Sequence, residues 1–339
     1  MNKVSIALCT YNGANFLPEQ LRSFLRQTRP PDELIVCDDR SSDATVKIIE
    51  KFAEAAPFFV ALHVNEENLG STKNFEKAIA LCTGELIFLS DQDDVWFPKK
   101  LEKFSVEFEK SEKIGMIFSN AELVGENLEP LRHDLWAFSF TPEERRKAKN
   151  GKMFEVLLKG NVVTGATMAF RSVFRGLFLP IPTDIPNTIH DAWIALIIAA
   201  NAEVGFIEEP SIAYRQHANQ QLGIDWKYKE KIKAMRRQEK YTKSIGFQRK
   251  NRERLIKLAE IIKSYPQFQM KSEELSIDEL TRSFMEEGNQ MIQHYEARKN
   301  LPREKLKRIS PIIKELSTGR YNRFSKGFIS PVKDLFENW

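Results

Sequence analysis

Glu85-Leu86-Ile87-Phe88-Leu89-Ser90-Asp91-Gln92-Asp93-Asp94-Val95-Trp96 is a short apolar run that ends abruptly in three carboxylates within four residues. Carboxylates packed this closely repel one another, and they are tolerable where a divalent cation neutralises them. Hard oxygen ligands of this kind suit Mg²⁺ or Mn²⁺, which commonly also bind substrate phosphates. Taken alone, the cluster reads more simply as a solvated acidic turn that ends a strand, so its neighbours decide.

Those neighbours supply a rhythm. Short β-branched and apolar runs at 4–9, 33–37, 58–64, 85–90, 116–124 and 166–171 alternate with helix-period segments, as in a mostly parallel, doubly wound α/β sheet. In 15–27, Leu17, Leu21, Phe24 and Leu25 share one helical face; in 43–54, Val46, Ile49 and Ala53 do the same after Ser42, read as the N-cap. From about residue 226 the strand signals stop and charged helical patterns begin, with Leu255, Leu258, Ala259 and Ile262 on one stripe and Leu280, Phe284, Met291 and Tyr295 on another. Ser264-Tyr265-Pro266 breaks the helical pattern. The expected organisation is a catalytic-type domain over 1–225 and a basic helical appendage over 226–339.

The charge follows this division. Residues 1–225 hold 24 Lys+Arg against 32 Asp+Glu (24 − 32 = −8), and residues 226–339 hold 27 against 15 (27 − 15 = +12), giving the net +4. Cys9, Cys37 and Cys82 show no C-x-x-C spacing, which argues against a disulfide framework or a zinc site and fits a reducing cytosol. The apolar run from Trp193 to Ala200 falls well short of the roughly 20 residues needed to span a bilayer, and the N-terminal run is too short for a signal-peptide core.

In open α/β sheets ligands bind beyond the carboxyl ends of the strands. Three such ends are polar here: Thr10-Tyr11-Asn12-Gly13, Asp38-Asp39-Arg40-Ser41-Ser42-Asp43 and Asp91-Gln92-Asp93-Asp94. Together with Gln27-Thr28 and Asn68-Leu69-Gly70, their order and spacing resemble glycosyltransferase family 2 over roughly residues 3–220. The resemblance implies the GT-A fold, a nucleotide-diphosphosugar donor, Mn²⁺ or Mg²⁺, and an inverting mechanism.

Position by position, the resemblance implies that Tyr11 stacks on the nucleobase with the Thr10 backbone beside it. It also implies that Asp39 accepts a hydrogen bond from base or ribose, with Asp38 the weaker candidate, that Asp91 faces the ribose or sugar, and that Asp93 is the principal metal ligand. Asp94 is expected to ligate through water or to shape the turn. Thr188-Ile189-His190-Asp191-Ala192 matches the family's catalytic position at the start of a helix, which makes Asp191 the expected base; His190 replaces a more frequent acidic neighbour. Tyr214-Arg215-Gln216-His217 resembles a segment after the last strand of rhamnosyltransferase-like enzymes. Arg215 is expected at the donor diphosphate, His217 in the metal shell, and dTDP-rhamnose is the suggested donor. Gly165 is expected to permit close backbone approach, and Lys73 to compensate phosphate or face solvent.

The implied function is sugar transfer to a saccharide or lipid-linked acceptor in cell-surface polysaccharide synthesis. The basic appendage, with its tail of Phe324, Phe328, Val332, Leu335 and Trp339, is expected to touch an anionic membrane peripherally or to pack as a solvated face, on a cytoplasmic chain. No nucleic acid is expected as a partner. The alternatives are a nucleotidyltransferase, disfavoured because no Gly-rich phosphate loop follows the first strand, a non-catalytic basic nucleic-acid-binding protein, and a catalytically silent sugar-nucleotide sensor.

Overall fold

The computed structural model describes residues 2–218, 220, 235, 237–264 and 276–336. The described residues fall into two compact units, one within 2–220, the other within 235–264 and 276–336.

The first unit is built on a sheet of β1 (Val4–Thr10), β2 (Glu33–Asp38), β3 (Phe59–Val64), β4 (Leu86–Ser90), β5 (Val95–Trp96), β6 (Ile114–Val124), β7 (Pro130–Asp134), β8 (Met168–Arg171) and β9 (Glu203–Arg215). The strand order is β3-β2-β1-β4-β8-β6-β9-β5, with β7 paired on β6. The long ladders are parallel: β1 with β2 and β4, β2 with β3, and β6 with β9. Strand β8 runs antiparallel between β4 and β6. Every residue of β1, β2 and β4 is buried, as expected of strands covered on both faces.

The helices of this unit are α1 (Leu17–Leu25), α2 (Thr45–Ala55), α3 (Ser71–Leu81), α4 (Lys100–Glu109), α5 (Trp136–Ser139), α6 (Pro142–Lys149), α7 (Met153–Lys159), α8 (Arg175–Phe178) and α9 (His190–Asn201). Helix α1 buries Leu17, Leu21 and Phe24, while Leu25 turns outward. Helix α2 buries Ile49 but is not capped by Ser42. Asp43 instead takes the Thr45 amide at 2.9 Å, and the Ser42 amide is spent on Asn12 Oδ1 at 2.8 Å.

Two further expectations shift. The run 166–171 begins as a 3₁₀ turn, Gly165–Thr167, because the Thr167 amide folds back onto Thr164 O and Lys100 Nζ claims Ala166 O. Strand β9 was not expected as an element of its own: Glu208, Glu209 and Pro210 interrupt its apolar character, and its register against β6 shifts beside Pro210. Tyr214 and Arg215 are therefore the last residues of this strand rather than the start of a loop after it.

In the second unit, helices Arg237–Ser264 and Ile277–Lys299 pack on each other, burying Leu255, Leu258, Ala259 and Ile262 on one and Leu280 on the other. Tyr265 and Pro266 of the expected helix break lie outside the described residues. Ser276 and Glu279 form a capping box at the start of the second helix. The tail folds as short helices, Ile309–Ser317, Arg320–Phe324 and Ile329–Phe336, around Leu301, Ile312 and Tyr321. Gly327, with φ of +51°, separates the last two; Trp339 lies outside the described residues. Buried His294 bridges Glu315 and Ser325, and Arg298 grips Asp334 through two bonds. Among the described residues no helix is long and apolar enough to cross a membrane.

Candidate active site

The carboxyl ends of β1, β2, β4 and β9 and the N-terminus of α9 open onto one cleft of about 600 Å³. Thr10, Tyr11, Asp39, Asp91, Asp93, Asp191, Arg215 and His217 all line it, whereas Asp38, Asp94 and Lys73 do not.

At the end of β1, Tyr11 exposes its ring while Gln92 clamps its backbone, accepting from the Tyr11 amide at 2.8 Å and donating to its carbonyl at 3.0 Å. The Thr10 hydroxyl donates to Asp38 at 2.7 Å, and Asp38 also accepts from the Ser41 amide and hydroxyl. Asp38 is thus a structural bracket rather than a ligand. Asp39 accepts from Asn65 Nδ2 and from the amides of Leu69 and Gly70, which leaves one lone pair of Oδ2 open. Gly70 caps α3 at a φ of +76°, a conformation glycine adopts without a Cβ penalty. Lys73 is tied to Glu76 and to the Ile181 carbonyl and does not line the cleft.

On the acidic turn, Asp93 Oδ2 lies 2.8 Å from His217 Nε2. Asp94 is fully buried: Oδ1 accepts the Arg215 amide at 3.1 Å and Oδ2 has no partner. Burial, then Asp93 and Asp91, push the Asp94 carboxyl well above the usual range, which favours the protonated form and a turn-shaping role. Asp91 is raised as well, by burial first and then by Asp93 and Asp191.

Helix α1 pins this turn with adjacent side chains. Gln20 donates to Ser90 Oγ and to the Asp91 carbonyl, and Glu19 receives Arg215 Nη2. The Arg215 guanidinium, stacked 4.8 Å over Phe16, also donates to the carbonyls of Asp93 and Glu126. Three of its N–H groups are therefore committed to protein oxygens. The geometry makes it a brace of the Asp93–Asp94 turn that also lines the cleft.

Across the cleft, Asp191 begins α9 and is held by three donors: Ala192 N at 2.6 Å and Asn161 Nδ2 at 3.2 Å on Oδ1, and Gly165 N at 3.0 Å on Oδ2. Burial nevertheless outweighs those bonds and raises its carboxyl to about 6. Gly165 has the expected reason to be glycine, since a Cβ there would sit 3.1 Å from His190 Nε2 and 3.5 Å from Asp191 Cβ. His190 stacks on Phe75 at 4.0 Å, and burial lowers it to about 3, so it is neutral.

Lys100 was not anticipated, because a lysine pair at a helix start reads as solvated. It is fully buried 3.7 Å over Trp96, donates to Ala166 O at 2.5 Å, and feels the charge of Asp94 and Asp91. Tyr214 lies within the field of Asp94, Asp91, Asp93 and Asp191, which, after burial, raises its hydroxyl.

The donor set suits a hard cation. Asp39, Asp91, Asp93 and Asp191 face a cleft whose own cationic or imidazole lining is Arg215, already braced to Glu19, and His217, with His190 held neutral. The 2.8 Å between Asp93 Oδ2 and His217 Nε2 is close to the about 3 Å separating adjacent ligands on a cation with bonds of about 2.1 Å. No group of three or more His, Cys, Asp or Glu among the described residues is arranged to hold a metal. The remaining positions would thus fall to substrate oxygens and water, as Mg²⁺ prefers.

A family model described as "Glycosyl transferase family 2" matches residues 5–178. The chain belongs to glycosyltransferase family 2. Among this family 2 chain's relatives, an uncharacterised glycosyltransferase of Nostoc is 32% identical over 34% of this chain, and the match spans only 35% of that protein. The dTDP-rhamnosyl transferase RfbG of Shigella flexneri is 25% identical, over 67% of this chain and 78% of its own length. Solved structures share the GT-A fold. A mannosyltransferase from Pyrobaculum calidifontis, in complex with GDP-Man and Mn²⁺, gives a TM-score of 0.54 at 15% identity, covering 100% of this chain and 88% of that one. S. aureus TarS in complex with UDP-GlcNAc gives 0.52 at 14% identity, covering 87% and 91%.

Proposed function

We propose that this family 2 chain is an inverting, metal-dependent glycosyltransferase. It moves a sugar from a nucleotide-diphosphosugar to a hydroxyl of a saccharide or lipid-linked saccharide acceptor in cell-surface polysaccharide synthesis. The reading is carried by one cleft in which Asp93 and His217, 2.8 Å apart, and the buried Asp191 are lining residues together. Family membership supports it over a nucleotidyltransferase, a nucleic-acid-binding protein or a silent sensor.

The Tyr11 ring stacks on the nucleobase beside the Thr10 backbone, and the open lone pair of Asp39 accepts from base or ribose. Asp91 faces the ribose or the sugar. Asp93, with His217, holds Mn²⁺ or Mg²⁺, which when bound acts as a Lewis acid toward the charge developing on the leaving diphosphate. Arg215 acts through the turn it braces.

Asp191, ionised above about pH 6, takes the proton of the acceptor hydroxyl as that oxygen bonds to the anomeric carbon. The bond from that carbon to the diphosphate oxygen breaks on the opposite face, its electron pair leaves with the nucleoside diphosphate, and the anomeric configuration inverts. The acceptor is met from the cytoplasmic side, with the chain peripheral to the membrane.

The test is product stereochemistry. The protein is incubated with Mn²⁺, nucleotide sugars and lipid-linked saccharides, and the new glycosidic bond is read by NMR. Because a relative is named a dTDP-rhamnosyl transferase, dTDP-rhamnose is the first donor to try. Inversion is the expected result; retention, or failure to transfer any sugar, would overturn the reading.

A further inference from the structure

The tail module of the second unit buries three of its charged side chains and exposes several large apolar ones. Arg308 is buried and donates to the Asp334 carbonyl, Glu315 is buried beside His294, and Asp334 is buried beside Arg298, whereas Leu306 is 82% exposed and Phe328 79%. Buried charges and a set of large exposed apolar side chains are the informative departures from ordinary sorting.

The exposed apolar residues follow helical stripes. Leu306, Ile309 and Ile313 run along the start of helix Ile309–Ser317; Phe328, Ile329, Val332 and Phe336 fall at i, i+1, i+4 and i+8 along helix Ile329–Phe336. Ile312, Leu316 and Leu335 supply the module's own core, so the exposed stripes are not needed for it. Arg308 donates to the carbonyls of Asp334 and Leu335, which brings the Leu306–Ile309 end of one stripe to the Phe336 end of the other. The charge around them has one sign. Over residues 301–336 seven Lys and Arg side chains are exposed, against Glu304 as the exposed acid, and Glu304 is paired with Lys307.

We infer that this face is a docking surface for an anionic lipid bilayer, its apolar stripes entering the headgroup boundary and its lysines and arginines meeting lipid phosphates. The surface combines an apolar stripe with flanking cations, the pattern of helices that lie in a membrane interface; a protein-binding patch of this apolar character has no need of such one-sided charge. The inference deepens the proposed function, resting on it for a lipid-linked acceptor, and locates the contact on residues that the sequence pattern only partly marked. Leu335, expected on the apolar face, is partly buried in the core, while Leu306, Ile309 and Ile313 were not expected on it.

The test uses the full chain and vesicles of phosphatidylcholine alone or mixed with equal phosphatidylglycerol, read by co-sedimentation. The expected result is binding to the mixed vesicles, weakened by added salt, and reduced at least about tenfold both by Phe328→Ser with Val332→Ser and by Lys326→Glu with Lys333→Glu. Sugar transfer to a soluble acceptor is measured in parallel and stays at the wild-type rate in both variants, which also reports that they fold. If the wild type transfers sugar to neither soluble nor lipid-linked acceptors while vesicle binding follows the expected pattern, the proposed function fails and the docking surface stands. Equal binding of wild type and both variants, or binding indifferent to phosphatidylglycerol, would overturn the inference. So would conversion of a wild-type oligomer to monomer by the serine pair without loss of vesicle binding.

Discussion

His217 Nε2 lies 2.8 Å from Asp93 Oδ2, a contact that closes a sequence gap of 124 residues. The pair joins the end of β9 to the turn after β4, and Phe16 of the segment leading into α1 packs on the imidazole at 4.6 Å. Its consequence for metal binding is specific. His217→Ala is expected to weaken Mn²⁺-dependent nucleotide binding by roughly 10- to 100-fold, read by isothermal titration. Unchanged affinity would reduce His217 to a structural partner of Asp93.

Asp191 carries the proton-taking step. Asp191→Asn is expected to lower the turnover number by roughly 10² to 10⁴ while donor binding is retained. Only the ionised carboxylate can accept a proton, and burial raises its carboxyl from 3.8 to about 6. Activity should therefore be flat above that value and fall as pH drops through it. A limb at the ordinary carboxylate position would contradict the assignment.

Arg215 distinguishes bracing from direct phosphate contact. Its planar fork reaches the carbonyls of Asp93 and Glu126 and the Glu19 carboxylate at once, which a lysine cannot do, although a lysine can bind phosphate as a point charge. Arg215→Lys is therefore expected to lose Mn²⁺-dependent stabilisation by nucleoside diphosphate in thermal shift. Retention of that stabilisation would return the residue to the diphosphate itself.

Lys100 is buried over Trp96 and donates to the Ala166 carbonyl, next to the Gly165 amide that holds Asp191. Lys100→Met should destabilise the protein by about 2 kcal/mol in urea unfolding, because it leaves the buried Ala166 carbonyl without its donor. A midpoint equal to wild type would show that Trp96 packing alone holds this region.

What the sequence made legible follows from how local each signal is. The strands β1, β2 and β4 declare themselves through continuous apolar runs, and the polar ends after them carry Tyr11, Asp39 and Asp93 directly. Strand β9 does not, because its pairing with β6 compensates for Glu208, Glu209 and Pro210, residues that locally disfavour a strand. Glu19, Gln20 and Lys100 were invisible for a related reason: a polar residue on a helix signals solvent until tertiary structure supplies its partner. Asp94 and Arg215 show what local sequence does not carry, since the burial of one, with no hydrogen-bond partner on Oδ2 among the described residues, and the three bonds that tie the other to the turn arise only in tertiary structure.

In the proposed site a divalent cation on Asp93 and His217 would hold the donor diphosphate opposite Asp191. Calorimetric titration of dTDP, UDP and GDP into the protein, with Mn²⁺ and then with the metal chelated, tests it most directly. The account predicts that at least one nucleotide binds with Mn²⁺, that chelation abolishes the binding, and that Asp93→Asn abolishes it even with Mn²⁺ present. Equal binding in chelator, or undiminished Mn²⁺-dependent binding by Asp93→Asn, would contradict it.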